Sequence, residues 1–308
     1  MGLLNGMRAS DHLRGLARRI VAAARLVVPL RAALLTGSTA RGDADFYSDI
    51  DLLLYVDELP REGTLEAIQS SIGGTNPIGR EPTAHNCWLE FELDGVRTEL
   101  SFTTVAWAES RLEELLTQVE EFDSRSQMIL SGVLEGVPLE GEELIERWQA
   151  RLREYPEPLR RAVIERRWDV VPLWYLEQAI AARDAELFRL ESLLDAAFNL
   201  LAVLAALNRL YFARFELTHM RALVARMTLA PPNLADRLET LFALPSGAAA
   251  KELGRLVDET RELVAQDLPD LDLPLRFPPG LRQEPWSIER KRSPRASRGD
   301  SSEHRNPD

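Results

Sequence analysis

The stretch that most constrains this chain is a turn between two apolar runs. Ala32, Ala33, Leu34 and Leu35 are followed by Thr36 and then by Gly37-Ser38-Thr39-Ala40-Arg41-Gly42. Five residues later comes Ser48-Asp49-Ile50-Asp51-Leu52, and the apolar run continues to Val56. A short apolar run stopped by glycine, then a polar loop, then a second apolar run reads as strand, turn and strand. Side chains alternate along a strand. Over residues 49–56, Ile50, Leu52, Leu54 and Val56 therefore share one face, and Asp49, Asp51, Leu53 and Tyr55 the other.

Two carboxylates on one face repel each other unless a cation lies between them. Hard oxygen ligands of this kind suit Mg²⁺, which keeps substrate phosphates in its own coordination sphere. A pair of such ions can activate an attacking oxygen and stabilise a leaving one in displacement at phosphorus. Gly37 lets the backbone approach a phosphate with no Cβ in the way. Ser38 offers a hydroxyl and an N–H, and a helix beginning near Thr39 would add further amides.

Residues 34–55 resemble the signature of the DNA polymerase beta-like nucleotidyltransferase superfamily. The segment is most similar to the minimal nucleotidyltransferases and to the aminoglycoside and lincosamide nucleotidyltransferases, which share the Gly-Ser…Asp-x-Asp arrangement. The resemblance implies that Gly37 and Ser38 hold the nucleotide phosphates, with Arg41 and Ser48 in support. It implies that Asp49 and Asp51 hold the metal, two Mg²⁺ ions in all, and that ATP or another nucleoside triphosphate is the co-substrate. The family has a third carboxylate on a neighbouring strand, often aspartate. Glu99 fits that place, as a third metal ligand or as the general base for the acceptor hydroxyl. Glu90 and Glu92, on the partner strand, compete for the same role.

Around this motif the pattern is α+β. Ser10 is a candidate N-cap for a helix over residues 10–26, with Leu13, Leu16, Ile20 and Val21 on one face. A helix is expected over 64–72. Strands are expected over 86–93 and 96–102, flanking the hairpin signal Asp94-Gly95, and a helix over 105–119. Residues 1–140 thus read as a nucleotidyltransferase domain with a small mixed sheet. After Gly141 the strand signals vanish. Helices are expected over 187–212, 220–227, 234–242 and 248–265, making 141–284 an all-α bundle that binds the acceptor. Asn208, Arg209 and Tyr211, with Asp195 and Asn199, are candidates to line its cleft. Arg151, Arg153, Arg160, Arg161, Arg166 and Arg167, interspersed with Glu154, Glu157 and Glu165, read as a solvated helix face. Residues 285–308 lack apolar periodicity and read as a disordered tail.

The formal net charge of −12 disfavours a nucleic-acid partner, which would need a surplus of Lys and Arg, and suits a cationic acceptor. Cys87 is the single cysteine, which excludes an internal disulfide. No leader is evident, and no run reaches the roughly 18 uncharged apolar residues of a membrane span. Residues 193–207, interrupted by Asp195 and Asn199, read as a buried helix. The expectation is a cytoplasmic enzyme with no membrane partner; the oligomeric state is left open. It would move AMP from ATP to a hydroxyl of an aminoglycoside- or lincosamide-like molecule, with antibiotic resistance as one consequence. The alternatives are AMP transfer to a protein, of the toxin–antitoxin type, and a regulatory nucleotide-binding protein.

Overall fold

The computed structural model describes residues 2–79, 82–117, 124–169, 175–180 and 182–273. Helix α1 (Gly2–Arg25) leads into strand β1 (Ala32–Thr36), the short helix α2 (Gly37–Arg41), strand β2 (Ile50–Val56) and helix α3 (Thr64–Ser71). Strands β3 (Thr75–Gly79), β4 (Asn86–Leu93) and β5 (Val96–Thr104) follow, then helices α4 (Val105–Thr117) and α5 (Ser124–Glu135) and strand β6 (Val137–Glu140). The sheet has six strands in the order β3-β4-β5-β2-β1-β6. Only β2 and β5 pair in parallel; the other neighbours are antiparallel. At the β4–β5 turn, Asp94 and Gly95 have φ of 52° and 80°. Two positive φ values in succession are what a type I′ hairpin turn requires.

The sheet's two faces enter two different cores. Ile50, Leu52, Leu54, Leu100 and Phe102 pack against Leu13, Leu16, Ala17 and Ile20 of α1 and Leu65 and Ile68 of α3. Leu34, Leu53 and Tyr55, on the opposite face, pack into the core of the helical region. Tyr55 meets Trp148 edge-on, with ring centroids 4.8 Å apart. Met1–Pro274 accordingly forms one compact unit. The Asp51 side of the sheet is thus the side turned toward the helices.

The helical region comprises α6 (Glu142–Arg153), α7 (Glu157–Arg167), α8 (Glu186–Leu207), α9 (Met220–Ala225), α10 (Leu234–Leu241) and α11 (Ser246–Asp267). Helix α8 is long and apolar enough to cross a membrane, but 72% of its most apolar window is buried within the protein. It is the central core helix. Two expectations are corrected here. First, the helix expected over 187–212 stops at Leu207, because Asn208 turns the chain and Arg209 takes a positive φ of 56°. Second, Arg160 is not on a solvated face. It is 2% exposed, and its guanidinium donates to the carbonyls of Ala206 and Leu207 and pairs with Asp267. One buried cation therefore ties α7 to the ends of α8 and α11, with its donors satisfied as burial demands. Val119 and the tail over 285–308 lie outside the described residues.

Candidate active site

The site is built where β1 ends and β2 begins. Gly37 has a φ of 71°, which an L side chain rarely adopts, and a Cβ there would lie 2.6 Å from Asp51 Oδ2. Glycine is thus required twice, by the backbone and by the neighbouring carboxylate. The turn continues into α2, with Gly42 in the left-handed conformation at its end. Thr39 is buried, and its hydroxyl donates to the carbonyl of Asp49 at 2.9 Å, so α2 is stitched to the start of β2. Arg14 of α1 donates to the carbonyls of Thr39 and Ala40 at 3.0 and 2.7 Å. Ser10 is not an N-cap. It lies inside α1, and its hydroxyl accepts the N–H of Ala44 at 3.2 Å.

Register brings the carboxylates together. Asp51 stands opposite Glu99 across the parallel β2–β5 pair, and Glu99 stands opposite Glu90 across β4–β5. Directly opposed residues project to one face, so Glu90, Glu99 and Asp51 form a row across three strands. Asp49 precedes β2 by one residue. Glu92 faces the sheet edge and accepts a hydrogen bond from Asn76 at 3.1 Å. Glu90 is held by both arms of Arg97, at 2.7 and 2.8 Å. Among the described residues, Asp51 and Glu99 make no hydrogen bond or ion pair, so of the three glutamates Glu99 is the one beside Asp51 with its oxygens uncommitted.

Burial pushes the Asp51 carboxyl up from 3.8 to about 7, the nearby charges of Asp49 and Glu99 push the same way, and Arg97 and Arg41 oppose them. A carboxyl whose folded pKa exceeds its unfolded one stabilises the fold at low pH and loses that contribution as pH rises toward the folded value. Here the window runs from about pH 4 to about pH 7, and the loss is on the order of 2–4 kcal/mol. In chelator, Asp51→Asn is therefore expected to melt several degrees above wild type at pH 7.5 and to converge with it at pH 4. Parallel melting curves that show no pH-dependent gap would contradict this.

The remaining candidates are spread more widely. Ser38 lies in α2, beside Gly37. The hydroxyl of Ser48 accepts the N–H of Asp45 at 2.9 Å and closes the 45–48 turn, whose tip carries Phe46 and Tyr47, 81% and 97% exposed. Arg41 faces Asp43 at 3.3 Å and Glu135 of α5 at 3.9 Å, and Arg226 also pairs with Glu135, at 2.6 Å. Arg41 thus connects the loop to the helical region. The cleft candidates are corrected in part. Asn208 bonds the carbonyls of Leu204 and Leu229 and accepts the N–H groups of Thr228 and Leu229. Tyr211 is buried and donates to the carbonyl of Leu152 at 3.0 Å. Both are structural hydrogen-bonders beyond the end of α8. Arg209 faces Glu157 at 3.8 Å. Asp195 and Asn199 line a cavity of about 360 Å³ with Arg167, Asp169, Phe198 and Arg214.

Sequence reasoning missed Arg97, whose guanidinium reaches Asp49 Oδ2 at 3.2 Å as well as Glu90. The only available signal was the alternation that puts Arg97 and Glu99 on one face of β5. Among the described residues no three His, Cys, Asp or Glu side chains converge closely enough to hold a metal as they stand.

Residues 22–124 match the family described as a nucleotidyltransferase domain. Residues 22–124 therefore carry a nucleotidyltransferase domain of the polymerase beta-like superfamily. The matched span covers α1 from Ala22, the Gly37 turn, the Asp49/Asp51 pair and the hairpin that carries Glu99. A solved nucleotidyltransferase-like protein from Exiguobacterium sibiricum 255-15 is similar over 82% of this chain and 74% of its own, at 12% identity and a TM-score of 0.37. No curated protein gives a significant match.

Proposed function

We propose that this protein transfers AMP from ATP to a hydroxyl of a small, cationic acceptor such as an aminoglycoside- or lincosamide-like molecule. The observation that carries this reading is the pairing of Asp51 with Glu99 across β2 and β5, with Gly37 pressed against the Asp51 carboxylate. The donor set is all hard oxygen, and the Gly37 contact leaves the Asp51 carboxylate open toward the phosphate turn, which fits Mg²⁺. Asp49 and Asp51 hold the cation, and the chemistry it supplies is charge neutralisation of the triphosphate. Gly37 and Ser38 seat the β- and γ-phosphates, and Arg41 and Ser48 keep the loop in place around them. Glu99 takes the proton from the acceptor hydroxyl. The hydroxyl oxygen forms its bond to the α-phosphorus as the bond to pyrophosphate breaks, and the charge leaves with pyrophosphate.

The acceptor class draws support from charge. Asp49, Asp51, Glu90 and Glu99 crowd one end of the sheet and outnumber the guanidiniums of Arg97 and Arg41 beside them, and a negative cleft concentrates cations. The helical region, which packs on the same side of the sheet, is where the acceptor docks. The test is incubation of the protein, Mg²⁺ and α-labelled ATP, GTP or CTP with a panel of hydroxyl-bearing aminocyclitols and with cell extract. The expected result is label on a small molecule, with ATP the best donor. Label on a polypeptide would overturn the acceptor class. Nucleotide binding with no label on anything would favour the regulatory alternative.

A further inference from the structure

The sheet face in front of Asp51 is crowded with carboxylates, and the position of Arg97 among them has a functional meaning. Arg97 sits at the start of β5, between β4 and β2 in the sheet. Its Nε and Nη2 grip Glu90 at 2.7 and 2.8 Å, while Nη1 reaches Asp49 Oδ2 at 3.2 Å. The guanidinium therefore bridges across β5, from Glu90 on β4 to Asp49 just before β2, in the row next to that of Glu99 and Asp51. It interacts electrostatically with both of these acids as well. Asp49 is thus already engaged by a protein cation.

We propose that Arg97 is a resident counter-ion that holds the place of the metal beside Asp49 and exchanges Asp49 for a phosphate oxygen when the nucleotide arrives. The inference rests on the reading of Asp49 and Asp51 as metal ligands. Geometry and chemistry make the exchange feasible. The bridge is anchored at Glu90 by a two-pronged contact and touches Asp49 by a single prong, so the Asp49 contact is the one that breaks first. The side chain is 58% exposed and can swing without disturbing a core. A guanidinium fork matches phosphate as well as carboxylate, so the triphosphate offers Arg97 an equivalent partner. Arg97 is thus a positioning residue, and its effect is to couple metal affinity to nucleotide. The site is weak for free divalent cation and strong for cation that arrives with a triphosphate.

Calorimetric titration with Mn²⁺ tests this, with and without the non-transferable analogue α,β-methylene-ATP, on wild type, Arg97→Gln, Arg97→Lys and Arg19→Gln. Arg19, on α1 behind the sheet, pairs with Asp94 at the hairpin turn and with the carbonyl of Ile72, so its variant removes the same charge from the opposite face. Arg97→Gln is expected to bind Mn²⁺ alone about two- to five-fold more tightly than wild type, the range a partly exposed ion pair can exert. It should also lose most of the gain in Mn²⁺ affinity that the nucleotide gives wild type. Arg97→Lys, which restores the charge, should return both values toward wild type, and Arg19→Gln should change neither. Unchanged or weaker Mn²⁺ binding by Arg97→Gln overturns the proposal, as does an equal rise in Arg19→Gln. Absence of Mn²⁺ binding in every protein, with and without nucleotide, removes the metal reading itself and is distinguishable from both.

Discussion

Asp51→Asn is expected to lower nucleotidyl transfer by roughly 10²–10³-fold or more while leaving the fold intact. The substitution keeps the side chain's size and removes only its charge. Asp51 ends the acidic row, opposite Glu99 on one strand and Thr36 on the other. No other described carboxylate occupies an equivalent place on β2, so none can substitute for it. The measurement is pyrophosphate release with the acceptor that takes label, run beside a melting curve. The two readouts should move in opposite directions above neutral pH, with activity falling and melting temperature rising. That combination is diagnostic, because a residue that merely supports the fold would lower both. Retention of more than a tenth of wild-type turnover would remove Asp51 from the centre of the chemistry. Asp49→Asn should also lose activity, but it would not raise the melting temperature to the same extent, since it leaves Asp51 buried and ionisable.

Gly37→Ala carries the second large effect. The added methyl group must occupy space 2.6 Å from Asp51 Oδ2, on a backbone held at a φ of 71°. The backbone strain costs about 1–2 kcal/mol. The clash falls on the end of a side chain that can turn away, so the protein is expected to remain folded. What it loses is the position of Asp51, and a displacement of about 1 Å at a reacting centre costs on the order of 100-fold in turnover. Gly15→Ala in α1 is the matched control. A Cβ at Gly15 meets nothing within 4 Å, so that variant should be as stable as wild type or slightly more so, with full activity. Near-normal turnover in Gly37→Ala would mean that the closeness of Gly37 to Asp51 has no part in the reaction.

The legible parts of this fold were those encoded locally. The alternation over residues 49–56, the Asp94-Gly95 turn and the apolar stripe of Leu13, Leu16, Ile20 and Val21 each carry their structural signal within a dozen residues, and each appears as read. Strand β3 does not announce itself. All five of its residues are exposed, and Pro77 interrupts it, as an edge strand tolerates and a central strand does not. Strand β6 is four residues long, too short to show a period. Its place in the sheet depends on Gly136 and Gly141, whose side-chain positions are filled by Leu34 and by the chain at Arg31 and Ala32. The end of α8 was hidden for another reason. Asn208 stops the helix by bonding residues 228 and 229, a contact that no local pattern records. The same holds within the site. Asp49, Asp51 and Gly37 are neighbours in the chain and could be read together. The contact of Arg97 with Asp49 spans 48 residues and is visible only once β2 and β5 are paired.

The short helix that follows Gly37 has a consequence for nucleotide binding. Its carbonyls are held by Arg14, its Thr39 hydroxyl by the backbone of Asp49, and the loop beyond it by Ser10. A phosphate-binding loop usually gives up conformational freedom when it closes on its ligand, at about 1–2 kcal/mol per residue ordered. Here that ordering is accomplished during folding, by a helix packed on the other face of the sheet. The nucleotide would encounter a loop with little entropy left to lose. Variation in α1, remote from every reacting atom, would then appear as a change in nucleotide affinity.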